Sequence, residues 1–276
     1  MKICDNVHQI RINFNVTEDI KRYVYIYIIE GKKLYLVDSG VKGSEKIIED
    51  YLFSINKNIK DIKGIFLTHS HPDHIGSAAK LKGLSKSKIY APYDEKEWIE
   101  DIDKQFKERP IPNFYGLSDK SVKIDKYLKK EEIITLEEDI HFKVIDAGGH
   151  SRGSLSYLWI ERNILFTGDA VPVPGDIPIF TDFKRSIDTL ERLRSIDDIN
   201  FCLPAWDRAY NKNEYKGVFD SSIKLLNNIN DEVRCLKLKT NDKEEIFQNV
   251  CNNLNMNSFK SNPLFKKSVL SCLDEE

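Results

Sequence analysis

Seven consecutive residues, Thr68-His69-Ser70-His71-Pro72-Asp73-His74, follow the apolar run Ile65-Phe66-Leu67 and crowd three histidines and an aspartate into one turn. A strand ending at this point fixes its backbone, and the turn then fans four donor side chains into one volume. Neutral imidazole with carboxylate is the donor set that zinc or iron prefers, so the segment reads as a metal loop. Half of the chain's 6 histidines are spent in it. Scattered surface histidines do not give that density.

The flanking pattern supports the strand. Residues 7–12, 22–29 and 34–37 are rich in β-branched and aromatic side chains, with Glu30-Gly31-Lys32-Lys33 as the turn between the last two, and predict an antiparallel opening meander. Ser44 is placed to cap a helix carrying Ile47, Ile48, Tyr51, Leu52 and Ile55 at helical spacing. A short buried strand over 64–68 then delivers the histidines, a helix begins over 75–81, and a strand over 88–91 and a helix over 94–102 follow. Residues 103–132 lose this regularity. Arg109-Pro110-Ile111-Pro112 and Phe114-Tyr115-Gly116 fall there, and the segment reads as an insertion or lid.

A second strand-rich block covers 140–146, 155–160 and 164–167, followed by a helix over 181–196 and a short strand over 201–203. From residue 211 onward only helical spacing is left, over 217–229, 243–253 and 263–273. The expected organisation is thus a mixed strand-and-helix domain over 1–210, with 103–132 as its insertion or lid, and a helical subdomain over 211–276.

Composition rules out other sources of stability or partnership. The 44 acidic and 42 basic side chains leave a formal charge of -2, so bulk electrostatics name no nucleic-acid partner. Cys4, Cys202, Cys235, Cys251 and Cys272 form no CxxC pair and are odd in number, which argues against a disulfide framework. No apolar run approaches the roughly 20 residues needed to span a bilayer. The expectation is a cytoplasmic protein with no membrane or nucleic-acid partner and a homodimer possible.

Two more donors follow strand signals. His150 stands in Asp146-Ala147-Gly148-Gly149-His150-Ser151, where the glycines permit close backbone approach, and Asp169 ends Phe166-Thr167-Gly168-Asp169. Either alone is weak. Together with the first cluster they form an ordered set.

That set resembles the metallo-β-lactamase fold superfamily. Its His-x-His-x-Asp-His pattern is matched by His69, His71, Asp73 and His74, its Gly-His by Gly149-His150, its Gly-Asp by Gly168-Asp169, and its early Asp motif by Val37-Asp38-Ser39-Gly40. The resemblance implies an α/β (α+β) chain forming a four-layer αβ/βα sandwich with an appended C-terminal helical segment. It further implies that His69, His71 and His150 hold a first metal, that Asp73 and His74 hold a second, and that Asp169 bridges both. Asp73 is the proton acceptor if one metal is present, and Asp38 fixes the loop.

The pattern departs at one place. Most dinuclear members supply a last histidine in a Pro-x-His context, whereas this chain reads Leu203-Pro204-Ala205-Trp206-Asp207-Arg208. Indole cannot ligate a metal. One firm Zn2+ site is therefore expected, with a second weak or absent unless Asp207 reaches in, and Fe2+ or Mn2+ as alternatives.

The resemblance implies a hydrolase that uses a metal-bound hydroxide on an ester, thioester or lactone of a small-molecule substrate, of the glyoxalase II or lactonase-like kind. Two alternatives stay open: a mononuclear iron enzyme like the persulfide dioxygenases, and a metal-binding sensor without turnover. Substrate selection is expected from Phe180, from Arg109, Phe114 and Tyr115, and from Trp206 and Arg208 at the metal edge.

Overall fold

The computed structural model describes residues 1–273, which divide into two compact units. The first comprises Met1–Asp146, Gly153–Gly168 and Leu203–Ala209. Its larger sheet has seven strands in sequence order: β1 (Lys2–Cys4), β2 (Val7–Asn15), β3 (Lys21–Glu30), β4 (Leu34–Val37), β5 (Ile62–Phe66), β6 (Lys88–Pro92) and β7 (Lys126–Leu128). The first four form the expected antiparallel meander, with Val7 opposite Ile29 and Tyr27 opposite Val37. From β4 to β7 the pairing turns parallel, because each connection now carries helix.

The first connection is α1 (Ser44–Ser54). Gly43 caps it with φ 89°, and Ser44 is its first helical residue, one place inside the cap position expected from sequence. Ile48 and Leu52 point into the core with Ile10, Ile12, Ile26, Leu36 and Ile65, while Ile47 lies outside. After β5 come α2 (Pro72–Ile75) and α3 (Ala78–Ser85). The helix expected over 94–102 is split into α4 (Lys96–Glu100) and α5 (Ile102–Glu108), since Asp101 leaves the helical conformation and its carboxylate accepts from the Lys104 amide.

The aperiodic segment that follows is packed, despite its lack of pattern. It forms the single turn α6 (Phe114–Leu117), and Phe114, Leu117, Val122 and Ile124 join the core. Such a turn is too short to show a period.

The second sheet of this unit runs antiparallel through β8 (Ile133–Glu137), β9 (Ile140–Asp146), β10 (Leu155–Trp159) and β11 (Ile164–Gly168), with Tyr157 opposite both Val144 and Phe166. The two sheets of this unit meet through rings. Phe66 lies 5.1 Å from Phe142 and 5.5 Å from Tyr157, both edge-on, and Tyr27 lies 5.4 Å from Phe166. Each fully buried ring of this kind contributes about 1.5–3 kcal/mol, with about 0.5–1.5 kcal/mol more per favourable pair.

The second unit comprises Ala147–Arg152, Asp169–Cys202 and the residues from Tyr210 on, the chain passing between units within β12 (Phe201–Pro204). Here Cys202 pairs with Tyr210 of β13 (Tyr210–Asn211). Four helices build the unit: α7 (Phe183–Arg194), α8 (Tyr215–Lys237), α9 (Lys243–Asn253) and α10 (Pro263–Ser271). Asp182, Asp242 and Asn262 cap α7, α9 and α10 through their side-chain oxygens. Phe265 of α10 packs edge-on to Phe247 and Phe259. Among the described residues no helix is long and apolar enough to cross a membrane.

Candidate metal centre

Parallel pairing puts the ends of β4 and β5 side by side, Val37 opposite Phe66. The residues that follow, Asp38 and Thr68, therefore meet at one edge. Asp38 takes a left-handed conformation, φ 63°, which aspartate tolerates better than most side chains. Its carboxylate accepts from the Thr68 amide at 2.8 Å, from the Thr68 hydroxyl at 2.9 Å and from His74 Nδ1 at 2.8 Å.

The histidine loop is then closed from the other side. His71 precedes α2, Pro72 opens it without needing an amide partner, and the His74 carbonyl accepts from both the amide and the hydroxyl of Ser39. The ring of His69 lies 4.4 Å from that of His71 and 4.1 Å from that of His74. Asp73 Oδ2 is 3.7 Å from His74 Nε2.

The second unit carries the other two donors. Gly149 has φ 127°, and a Cβ there would come within 2.6 Å of the Ser186 backbone on α7, so only glycine fits before His150. His150 Nε2 is 3.3 Å from Asp169 Oδ2. These two side chains line a cleft with Gly148, Pro172, Ile179, Phe180 and Ser186. The wall between Pro172 and Phe180 is pinned at both ends: Ser222 of α8 donates to the Pro172 carbonyl, and the Phe180 amide donates to the Ser268 hydroxyl of α10.

Hydrogen bonding fixes the tautomer of three of these rings. His74 Nδ1 faces a carboxylate and His150 Nδ1 faces the Ile179 carbonyl at 2.7 Å, so both carry the proton there. The single Thr68 hydroxyl proton goes to Asp38, so at 3.0 Å His69 Nδ1 must donate to the Thr68 oxygen. In each neutral ring Nε2 then bears the lone pair. This is the arrangement in which metal-ligating histidines are held. Sequence reading missed Thr68 and the Ile179 carbonyl in this role. Thr68 could have been suspected from its place between strand and histidine, whereas a backbone carbonyl has no sequence signature.

Above this loop Tyr157 donates to the Leu67 carbonyl, and complete burial, reinforced by the Asp38 carboxylate, pushes its phenol well above the ordinary range. The remaining residues singled out from sequence are dispersed. Phe180 lines the cleft with His150. Phe114 is buried in the core against Phe106, while Tyr115 is exposed and donates to Asp103. Arg109 ends α5. The Trp206 ring lies 4.0 Å beneath the Arg22 guanidinium, and its indole N–H is buried with no hydrogen-bond partner among the described residues. Asp207 Oδ1 accepts from the Arg208 amide, and the Arg208 guanidinium donates to the Ala209 carbonyl.

Comparison with known proteins agrees with this picture. Residues 20–198 match the model of the metallo-beta-lactamase superfamily. A hydroxyacylglutathione hydrolase of Shewanella baltica is 28% identical over 197 residues, which cover 69% of this chain and 61% of that protein. One of Bdellovibrio bacteriovorus is 27% identical over 176 residues, covering 63% and 59%. The chain thus spans less than two thirds of the length of these curated relatives. Among solved structures, a metallo-beta-lactamase family protein of Thermus thermophilus superposes with a TM-score of 0.74 at 16% identity, covering 99% of this chain and 93% of that one. A beta-lactamase domain protein of Burkholderia ambifaria gives 0.71 at 14% identity, covering 99% and 86%. The two-sheet α/β architecture with C-terminal helices is the one expected from sequence, and the chain belongs to the metallo-beta-lactamase superfamily.

Proposed function

We propose that this chain is a metal-dependent thioester hydrolase whose metal is held by His69, His71, His150 and Asp169, with Asp73, His74 and Asp169 as a second, weaker donor group. The observation that carries the reading is the ring orientation: three buried rings on the family's motif positions each have Nδ1 hydrogen-bonded to the protein, so that Nε2 is the nitrogen each would offer a metal. Imidazole and carboxylate donors suit zinc best, with iron and manganese also compatible. When bound, the metal supplies Lewis acidity and lowers the pKa of water.

The protein's own contribution is positional. Asp38 orients His74 and ties it to Thr68, and so to His69. The Ile179 carbonyl orients His150. Asp73 is the base that takes a proton from the attacking water, since its carboxylate is beside His74 and Asp38 is fully engaged elsewhere. The choice of thioesters over lactones and simple esters draws support from the curated relatives, which are named hydroxyacylglutathione hydrolases.

Trp206 has no lone pair to offer a metal, and Asp207 is engaged with the backbone of Arg208. One metal equivalent is therefore the proposed working state. A panel of S-acyl glutathiones, lactones and aryl esters, run on wild type and His71→Ala, tests the reading. Thioester turnover lost in the variant supports it, and wild-type inertness toward every member rejects it.

A further inference from the structure

Ser70 separates His69 from His71, and it is held on two sides by residues outside the metal loop. Its hydroxyl donates to Glu95, and its carbonyl accepts from the Gln105 side chain at 2.7 Å. The other carboxylate oxygen of Glu95 accepts from the Gly153 amide at 2.6 Å. Gly153 lies three residues beyond His150. One carboxylate thus ties the segment carrying His69 and His71 to Gly153, just before β10.

The arrangement is costly for mere stability. Ser70 and Gln105 are wholly buried and Glu95 is 4% exposed. Gln105 Oε1 is buried with no hydrogen-bond partner among the described residues, so its amide group is desolvated while it holds Ser70. A Cβ at Gly153 would stand 2.7 Å from Asp94 Cβ and 3.0 Å from Glu95 Cγ, so a side chain at position 153 would push against Asp94 and Glu95. Burying an apolar pair would stabilise the same contact at less risk.

We infer that Glu95 is a positioning residue: with Gln105 it fixes the 69–71 segment against the 153–155 segment, and through its hold on Ser70, between His69 and His71, it sets metal affinity. The metal part of this inference rests on the proposed metal centre, whereas the ordering of the two segments does not. Glutamine at position 95 can reproduce both bonds, its oxygen accepting from Gly153 and its amide donating to the Ser70 oxygen. Alanine can reproduce neither.

The test compares the full-length wild type with Glu95→Ala and Glu95→Gln. Hydrogen exchange is measured on chelator-stripped protein, and zinc affinity by competition with a chromophoric chelator. In Glu95→Ala, exchange is expected to rise about tenfold or more in peptides covering 68–74 and 153–155 with little change elsewhere in the unit, and zinc affinity to fall about 10–100-fold. Glu95→Gln is expected to restore both. Ser70→Ala, a smaller change, is expected to loosen 68–74 alone and guards against a variant that does not fold.

Unchanged exchange in either segment of Glu95→Ala, a uniform rise across the chain, or a glutamine variant as impaired as alanine would overturn the inference. Wild-type protein that binds no zinc would reject the metal centre instead, and the exchange result would still decide what Glu95 does.

Discussion

His74 donates from Nδ1 to the Asp38 carboxylate at 2.8 Å, and both side chains are all but excluded from solvent. The same carboxylate holds the amide and hydroxyl of Thr68. Asp38→Asn keeps the shape and tolerates the left-handed backbone, but it removes the charge that sets the His74 tautomer. Metal affinity and turnover are expected to fall about 10–100-fold with a near-normal unfolding midpoint. Asp38→Ala should in addition lose about 2–4 kcal/mol in urea titration, because it strands buried donors and strains φ. Wild-type stability of the alanine variant would contradict this.

Two glycines predict opposite signs. Gly168 sits at φ 54°, and a Cβ there would stand 2.9 Å from Thr68 Cβ, so Gly168→Ala should cost about 2–4 kcal/mol and disturb both Thr68 and the following Asp169. Gly83 lies inside α3 with nothing within 4 Å of such a Cβ. Gly83→Ala should stabilise by about 0.5–1 kcal/mol. Thermal unfolding of the pair checks both, and equal effects would show that local space does not decide.

Cysteine chemistry follows burial. Cys202, Cys251 and Cys272 are buried and Cys235 is exposed. Burial pushes the Cys202 and Cys251 thiols up, which lowers their thiolate fraction at any given pH. A chromogenic disulfide reagent at about pH 8, near the ordinary thiol range, should label Cys235 rapidly, Cys4 more slowly and the other three only on unfolding. Rapid labelling of Cys202 in native protein would show that the β12 packing is wrong.

The raised phenol of Tyr157 gives a signed pH dependence. Its folded pKa lies above that of the unfolded chain, so its contribution is complete below about pH 10 and is lost as pH rises beyond that. Tyr157→Phe is expected to cost about 1 kcal/mol at neutral pH through the bond lost at Leu67. It should also flatten the alkaline decline in stability. A steeper alkaline decline in the variant would reverse the sign and refute the assignment.

The sequence exposed most strands and most helices because Val7 to Ile12 or Ile140 to Asp146 carry their periods openly, and it exposed the six candidate donors because they fall on recognisable motif positions. What it concealed depends on backbone or on single turns. Asp101 broke a helix that apolar spacing alone made continuous. Phe114 and Leu117 reached the core from a turn of only four residues. The Ile179 carbonyl and the contacts of Glu95 with Ser70 and Gly153 arise from tertiary approach, to which no local pattern corresponds.

The departure at Trp206 has its own test. Wild-type protein should retain about one metal equivalent through dialysis, as measured by elemental analysis. Trp206→His should retain more, at the loss of roughly 0.5–1 kcal/mol from the stack on Arg22. Two equivalents in the wild type would refute the single-metal state.

Thioester turnover by protein stripped with a chelator and then titrated with zinc decides whether the metal centre works as proposed. Stripped protein is expected to show no turnover, with recovery that saturates near one equivalent and with His71→Ala failing to recover. Undiminished hydrolysis by metal-free protein would contradict a metal-dependent hydrolase.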